Sequence, residues 1–337
     1  MALGSLISGT SPWPYKICKV YKMEQLMFIS QLVGMFIVPW IIMFFICDVR
    51  EAYDQIGFIN LVICNLFSLV FGVANIIAIN CLYKVGFVMF SVLEGGTAVI
   101  ISTLIPLIFK GSGVFKNAPD ITSYSGLLSI IAVFIMVISI ILMSVAGSLR
   151  DKDMGKAETK SDDIPIAQKR FWRFMCIVAG VMCTGLLLLN TYYGALLKEA
   201  AVSAGCYENF SSLSIWTFGM FGCIFINVLY SIVLMVKNNT FKIFSNMKEF
   251  YSGAVSGVQY IFYLFLVGLG TPMMGALGAS IGNGISLSGS AIGKQIIGFL
   301  CGEWKGVKGR PVKLLVLSLI FLFVSIILLS LSSYVNK

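Results

Sequence analysis

One carboxylate and one amine lie far inside apolar runs of the sequence. Glu94 occurs in FSVLEGGTAV, and Lys294 occurs in GSAIGKQIIG. An isolated charge at the centre of a bilayer costs at least about 2.5–3.5 kcal/mol, so such groups usually pair or line a polar cavity. A carboxylate held between an apolar environment and a nearby cation can load and release a proton. We therefore predict that Glu94 couples transport to protons and that Lys294 modulates Glu94 or contacts an anionic substrate group. The alternative is a purely structural ion pair that fixes helix register.

A second group of candidates consists of amide and aromatic side chains within the apolar runs. Amides supply hydrogen-bond donors and acceptors for sugar hydroxyls, and aromatic rings stack on the C–H face of a sugar. The alternative is that the amides join helices and that the rings form an interfacial belt. The predicted substrate-binding residues of this kind are Asn75, Asn190, Tyr192, Gln259, Asn283 and Tyr15.

The composition indicates the class of protein to which these residues belong. Hydrophobic residues make up 58% of the chain and charged residues 12%, with a mean hydropathy of +0.93. Soluble domains carry roughly 25% charged residues, so the chain belongs to the class of membrane proteins. The net charge of +9 then reflects topology-setting lysines and arginines, and we expect no nucleic-acid partner. No histidine, metal-ligand spacing, phosphate loop or catalytic motif is present in the sequence, so we predict a non-enzyme without a cofactor, driven by a proton gradient.

The apolar runs predict an all-α integral membrane protein with ten spans. A linker of mixed charge at 150–173 divides the chain into five-helix halves, 1–149 and 174–337. Because five is odd, the halves have opposite orientations, which is the inverted-repeat plan of many secondary transporters. The predicted spans are 2–16, 26–47, 58–81, 86–109, 125–149, 174–197, 212–236, 251–272, 275–301 and 313–334.

The positions of lysine and arginine predict the orientation. The linker and the other odd-numbered links carry 18 of the 24 basic residues, whereas the even-numbered links carry four. Basic links face the cytoplasm, so both termini are expected outside. Glu94 follows Lys84 by ten residues and Lys294 precedes Lys305 by eleven, which places both about 15 Å from the cytoplasmic ends of spans 4 and 9. The two charges are therefore expected to share a depth and to face each other across a cavity.

Several motifs, in order along nearly the whole chain, resemble a known family. They are IVPW at 37–40, GVANIIAINCLYKVG at 72–86, KEAAVSAG at 198–205 and GEWKGVKGRPV at 302–312. The chain is similar to the bacterial L-rhamnose–proton symporters of the drug/metabolite transporter superfamily. That resemblance implies two inverted five-helix repeats and inward movement of a sugar with a proton. A lysine in the ninth span is more similar to the nucleotide-sugar and sugar-phosphate exchangers of the same superfamily.

The sequence thus predicts a transporter in the cytoplasmic membrane of a bacterium, a monomer or weak homodimer in the lipid bilayer. Its expected substrate is L-rhamnose or a related monosaccharide, taken up with a proton by alternating access. The first alternative is an exporter or exchanger of an acidic or phosphorylated sugar or an amphipathic solute. The second is a membrane receptor or scaffold that transports nothing.

Overall fold

A computed structural model describes the backbone at residues 1–85, 90–109, 120, 122–154, 166–273 and 278–335. Some side chains within these helices, including that of Asn283, lie outside the description. The described ranges are helical and contain no β-strand. Six helices are long and apolar enough to cross a membrane, which confirms an all-α, multi-pass membrane protein; ten spans and inverted repeats stay predictions. The six are Met23–Ile46, Phe58–Cys81, Tyr124–Arg150, Arg170–Leu188, Met247–Gly270 and Arg310–Ser332.

The helices are numbered in chain order. The α-helices are α1 (Ala2–Thr10), α2 (Pro14–Ile17), α3 (Met23–Ile29), α4 (Val38–Ile46), α5 (Val49–Ile56), α6 (Phe58–Val85), α7 (Gly96–Ile108), α8 (Tyr124–Asp153), α9 (Ile166–Met182), α10 (Thr184–Leu188), α11 (Gly194–Ser203), α12 (Leu213–Phe218), α13 (Phe221–Lys237), α14 (Met247–Met273), α15 (Gly278–Leu300) and α16 (Arg310–Val335). A 3₁₀ turn covers Glu208–Phe210, and π-helical segments are π1 (Ser30–Ile37), π2 (Ser91–Gly95) and π3 (Leu189–Tyr193).

The chain forms two compact units, and each combines two main segments that are far apart in the sequence. The first unit comprises Leu3–Val73 with Gly185–Gly270, and the second comprises Ala74–Thr184 with Thr271–Lys337. A compact unit is not the same thing as a sequence repeat. The predicted division into 1–149, 150–173 and 174–337 therefore stays a prediction about repeats.

In the second unit, α8 and α16 pack antiparallel along a stripe of small polar residues. Every seventh residue of α16 from Ser318 to Ser332 is a fully buried serine. Ser332 Oγ lies 2.8 Å from Ser125 Oγ and 2.9 Å from Ser129 Oγ, and Ser139 Oγ donates to the Ser318 carbonyl at 2.6 Å. Small residues let helix backbones approach closely, and their hydroxyls bond across the interface where no water is available. This helix pair is one wall of the cavity described below.

In the first unit, π1 and α14 meet at two glycines. A Cβ on Gly34 would overlap backbone atoms of Gly257, and a Cβ on Gly257 would overlap the Ser30 carbonyl. Lipid tails are as apolar as side chains, so helices in membranes associate through close packing of this kind. The beginning of α14 is fixed by Glu249, whose carboxylate accepts hydrogen bonds from the backbone N–H groups of residues 19–21 at 2.6–3.1 Å.

Candidate functional site

Glu94 lies on the π-helical segment π2, which leads into α7. Single π-helical turns widen a helix locally and occur often at functional sites. Helix α9 packs directly on this segment because Gly180 has no side chain. A Cβ there would lie 2.7 Å from the Glu94 carbonyl oxygen and 2.8 Å from the Thr97 Cβ. The close approach brings the end of α9 to the Glu94 side chain.

Glu94 and Lys294 line one cavity in the second unit, of about 180 Å³, which we call the charged cavity. A single water needs roughly 10–15 Å³ measured in this way, so the space holds several waters or a small ligand. Segment π2 and helices α7, α8, α15 and α16 contribute the residues that line it. The lining residues are Phe90, Glu94, Gly95, Ala98, Val99, Met136, Ile140, Met143, Ser144, Leu287, Ser288, Ser290, Ala291, Lys294, Gln295 and Leu322.

The two charged groups interact through the cavity. Lys294 acts electrostatically on Glu94, but no direct ion pair joins them in the part of the chain that the structure describes. Glu94 Oε1 instead accepts a hydrogen bond from Cys183 Sγ at 3.6 Å. Glu94 is half-buried and Lys294 is exposed, and both residues line the cavity. The structure therefore brings together the two residues that we singled out from the sequence, with room for a ligand group at the lysine.

Four polar residues of the cavity were missed in the sequence. Gln295 and Ser288 on α15 and Ser144 on α8 are buried, and Ser290 lies one helical turn before Lys294. Gln295 follows Lys294 directly, and residues seven apart share a helix face, as Ser288 and Gln295 do. Helical spacing around Lys294 would have identified the residues of α15. Nothing in the sequence pointed to Cys183, because an uncharged thiol in an apolar run is ordinarily a small hydrophobic residue.

The predicted residues of the first unit lie at other places. Asn190 and Tyr192 belong to π3, where the Tyr192 ring is 53% exposed and its centroid lies 6.5 Å from that of Tyr193. The Gln259 amide donates to Thr10 Oγ1 at 2.6 Å and to the Ile7 carbonyl at 3.2 Å, so it joins α14 to α1. The first predicted span, 2–16, is broken at residues 11–13, and Tyr15 lies on the short helix α2 with 41% of its surface exposed.

The remaining two predicted residues are assigned to the second unit. Asn75 lies half-buried on α6 and is not among the residues that line the charged cavity. The backbone of Asn283 belongs to α15, but its side chain lies outside the described residues. Among the described residues, no group of three or more cysteine, aspartate or glutamate side chains could hold a metal ion.

A second polar cluster lies beyond the cavity on the same helices. Arg150, near the end of α8, forms an ion pair with Glu303 in the α15–α16 connection, with 3.0 Å between Nη1 and Oε2. The Arg150 guanidinium also lies 5.0 Å from the ring centroid of Trp304. Trp304 is buried and stacks on Phe299 with ring centroids 5.8 Å apart. This cluster belongs to GEWKGVKGRPV and fastens the connection to α8.

The model of the L-rhamnose-proton symport protein (RhaT) family matches residues 3–333. An L-rhamnose-proton symporter of Yersinia pestis (strain Pestoides F) is 23% identical over 312 residues, which cover 90% of this chain and 87% of that protein. An L-rhamnose-proton symporter of Salmonella paratyphi B (strain ATCC BAA-1250 / SPB7) is 21% identical over 322 residues, covering 93% and 90%. On this match, the chain belongs to the L-rhamnose-proton symport protein family, a family of transporters and not of enzymes.

Proposed function

We propose that this protein is a secondary active transporter that takes up L-rhamnose or a related monosaccharide together with a proton. The observation that carries the proposal is the charged cavity, where Glu94 and Lys294 meet in a chain of a symporter family. Intramembrane ionisable residues that face a cavity are typical of proton relays and substrate pathways. The energy comes from the proton gradient, and no cofactor is required.

Glu94 is the proposed proton carrier. An ionised carboxylate in an apolar cavity is costly unless it is paired, so its protonation responds to what else occupies the cavity. Lys294 lines the same cavity and supplies the compensating charge. We assign the hydroxyl contacts of the substrate first to Gln295, Ser290 and Ser144, which line the cavity. The predicted contacts at Asn75, Asn190, Tyr192, Gln259, Asn283 and Tyr15 stay proposals.

The membrane arrangement that we propose has ten spans in two inverted five-helix repeats. The basic links face the cytoplasm of a bacterial cell, and both termini lie outside. A monomer, or a weak homodimer, works by alternating access, in which the site opens to one side of the membrane at a time. The six helices that meet the length and hydropathy requirement, and the shorter apolar helices Leu93–Ser102 and Phe221–Lys237, support this arrangement.

The experiment is uptake of radiolabelled L-rhamnose into proteoliposomes with and without an inward proton gradient. The proposal expects accumulation above the external concentration, and the accumulation should collapse when an uncoupler is added. Protein-free liposomes are the control for leakage. Uptake that only equilibrates, whatever the gradient, would contradict proton coupling.

The exposed cation of Lys294 favours one second candidate, an exchanger of an acidic or phosphorylated solute. A lysine in a cavity attracts an anionic group, and exchange requires no proton. Counterflow that is independent of pH, with no response to a proton gradient, would favour this candidate over the symporter.

A further inference from the structure

The charge of Lys294 has no counter-ion in direct contact among the residues that the structure describes. Lys294 is exposed and lines the charged cavity, and Glu94 Oε1 accepts a hydrogen bond from Cys183 Sγ at 3.6 Å. Apart from Glu94, the polar residues that line the cavity are neutral: Ser144, Ser288, Ser290 and Gln295. A neutral sugar needs hydroxyl partners, which these residues provide, but it does not need an ammonium group. The cation is therefore the feature of the cavity that a neutral substrate leaves unexplained.

The groups that face Glu94 give the cavity a simple charge count. Lys294 acts on it from α15, and the Cys183 thiol at the α9–α10 junction donates a hydrogen bond to it. The thiols of Cys81 on α6 and Cys176 on α9 lie within electrostatic range of the Glu94 carboxylate. Thiols are mostly uncharged near pH 7. The residues that α8 and α16 contribute to the lining carry no titratable group. The net charge of the empty cavity is therefore zero when Glu94 is ionised and +1 when Glu94 is protonated.

This count distinguishes neutral from anionic substrates. A charge enclosed in an apolar environment is strongly disfavoured, so a transporter reorients most easily when its site is neutral overall. The empty cavity with ionised Glu94 satisfies that condition. A cavity loaded with a proton and a neutral sugar has a charge of +1 and does not. A cavity loaded with a proton and a monoanion is neutral again. A phosphate ester carries about −1.5 to −2 at pH 7, which would leave the loaded cavity negative.

We propose, on the basis of the function proposed above, that the transported monosaccharide is a sugar acid with one carboxylate. The carboxylate binds the Lys294 ammonium group, and the sugar hydroxyls bind the amide of Gln295 and the hydroxyls of Ser290 and Ser144. One proton moves with each anion, carried on Glu94. Proton binding frees the lysine from its long-range attraction to Glu94, and anion binding neutralises the protonated cavity. Each ligand therefore favours binding of the other, and the loaded and empty states cross the membrane without net charge.

The experiment separates the two components of the proton-motive force. Proteoliposomes receive either an inward proton gradient at zero membrane potential or an inside-negative potassium–valinomycin potential at equal pH, and the probes are radiolabelled D-galacturonate and L-rhamnose. We expect galacturonate to accumulate with the proton gradient and to be insensitive to the potential. Unlabelled galacturonate should compete at least about 10-fold better than L-rhamnose, because a charge-assisted hydrogen bond is stronger than a neutral one.

Two variants test whether the substrate carboxylate binds Lys294. Lys294→Gln keeps a polar side chain without the charge, and we expect its apparent affinity for galacturonate to fall about 10- to 100-fold. Lys294→Arg keeps the charge and should retain uptake. Both are compared with wild type by far-UV circular dichroism and gel filtration, so that a folding defect is recognised.

The alternative outcomes have distinct meanings. L-rhamnose uptake that is driven by protons, stimulated by the inside-negative potential and unaffected by galacturonate would keep the symporter and overturn the sugar-acid inference. Unchanged affinity for galacturonate in Lys294→Gln would also overturn it. If folded protein accumulates neither sugar with a proton gradient, the proposed function fails first, and this inference fails with it.

Discussion

Replacement of Arg150 should destabilise the protein more than replacement of its ion-pair partner Glu303. The pair is partly buried, with 18% and 33% of the two side chains exposed. Exposed pairs contribute about 0.2–1 kcal/mol, and breaking a fully buried pair costs about 3–5 kcal/mol, so about 1–2 kcal/mol is expected here. Arg150 also lies 5.0 Å from the Trp304 ring centroid, a cation–π contact worth about 0.5–1 kcal/mol. Glu303→Gln should therefore cost about 1–2 kcal/mol and Arg150→Gln about 1.5–3 kcal/mol.

The assay is unfolding in mixed micelles by titration with dodecyl sulfate, followed by far-UV circular dichroism. The two single variants, the double variant and the wild type form a double-mutant cycle. The coupling energy from this cycle should equal the contribution of the ion pair to the free energy of unfolding. Lys305→Gln is the matched control, since it removes an exposed charge from the same connection. Equal stabilities for Arg150→Gln, Glu303→Gln and the control would refute the role of this cluster in fastening the connection to α8.

Three further predictions concern packing, orientation and the role of Gln259. Gly257→Ala should lower the folded yield and cost about 1–3 kcal/mol, because the added methyl group forces π1 and α14 apart. Gly96→Ala is the control, since a Cβ on Gly96 meets open space and should not lower the yield. Equal yields of the two variants would contradict the glycine contact. Cys301 is exposed and should react with a membrane-impermeant maleimide only in inside-out vesicles. Burial raises the pKa of Cys206 to about 11, so that thiol should stay unlabelled. Labelling of Cys301 in intact cells would reverse the proposed orientation. Gln259→Leu should cost about 0.6–1.7 kcal/mol of stability through its lost bonds to α1. Loss of substrate affinity without loss of stability would instead support the predicted role of Gln259 as a substrate contact.

The charged pair could be predicted from the sequence because an isolated charge in hydrocarbon is energetically costly. Glu94 and Lys294 had to pair or share a polar cavity, and they line the same one. The membrane class followed from the composition, because the share of charged residues is too low for the surface of a soluble protein. The spacing of basic residues placed both charges at one depth, but it said nothing about the thiol of Cys183.

Other features depended on contacts that a linear pattern does not contain. An amide in an apolar run reads equally as a ligand contact or as a bond between helices, and Gln259 bonds to α1. The close packing of α9 on the π-helical segment π2 at Gly180 is a contact between residues far apart in the sequence. The assembly of each compact unit from two separate segments of the chain depends on which helices pair, and a linear pattern does not contain those pairings. The seven-residue spacing from Ser318 to Ser332 was readable in principle, since such a repeat marks a packed face.

The most direct test of the account is concentrative uptake by Glu94→Gln, measured beside wild type and Glu94→Asp in proteoliposomes of equal protein content. The labelled probe is whichever of L-rhamnose and D-galacturonate the wild type accumulates. We predict that Glu94→Gln loses accumulation driven by the proton gradient but still exchanges the probe in counterflow, because the cavity persists without its proton carrier. Full concentrative uptake by Glu94→Gln would contradict the assignment of Glu94 as the proton carrier.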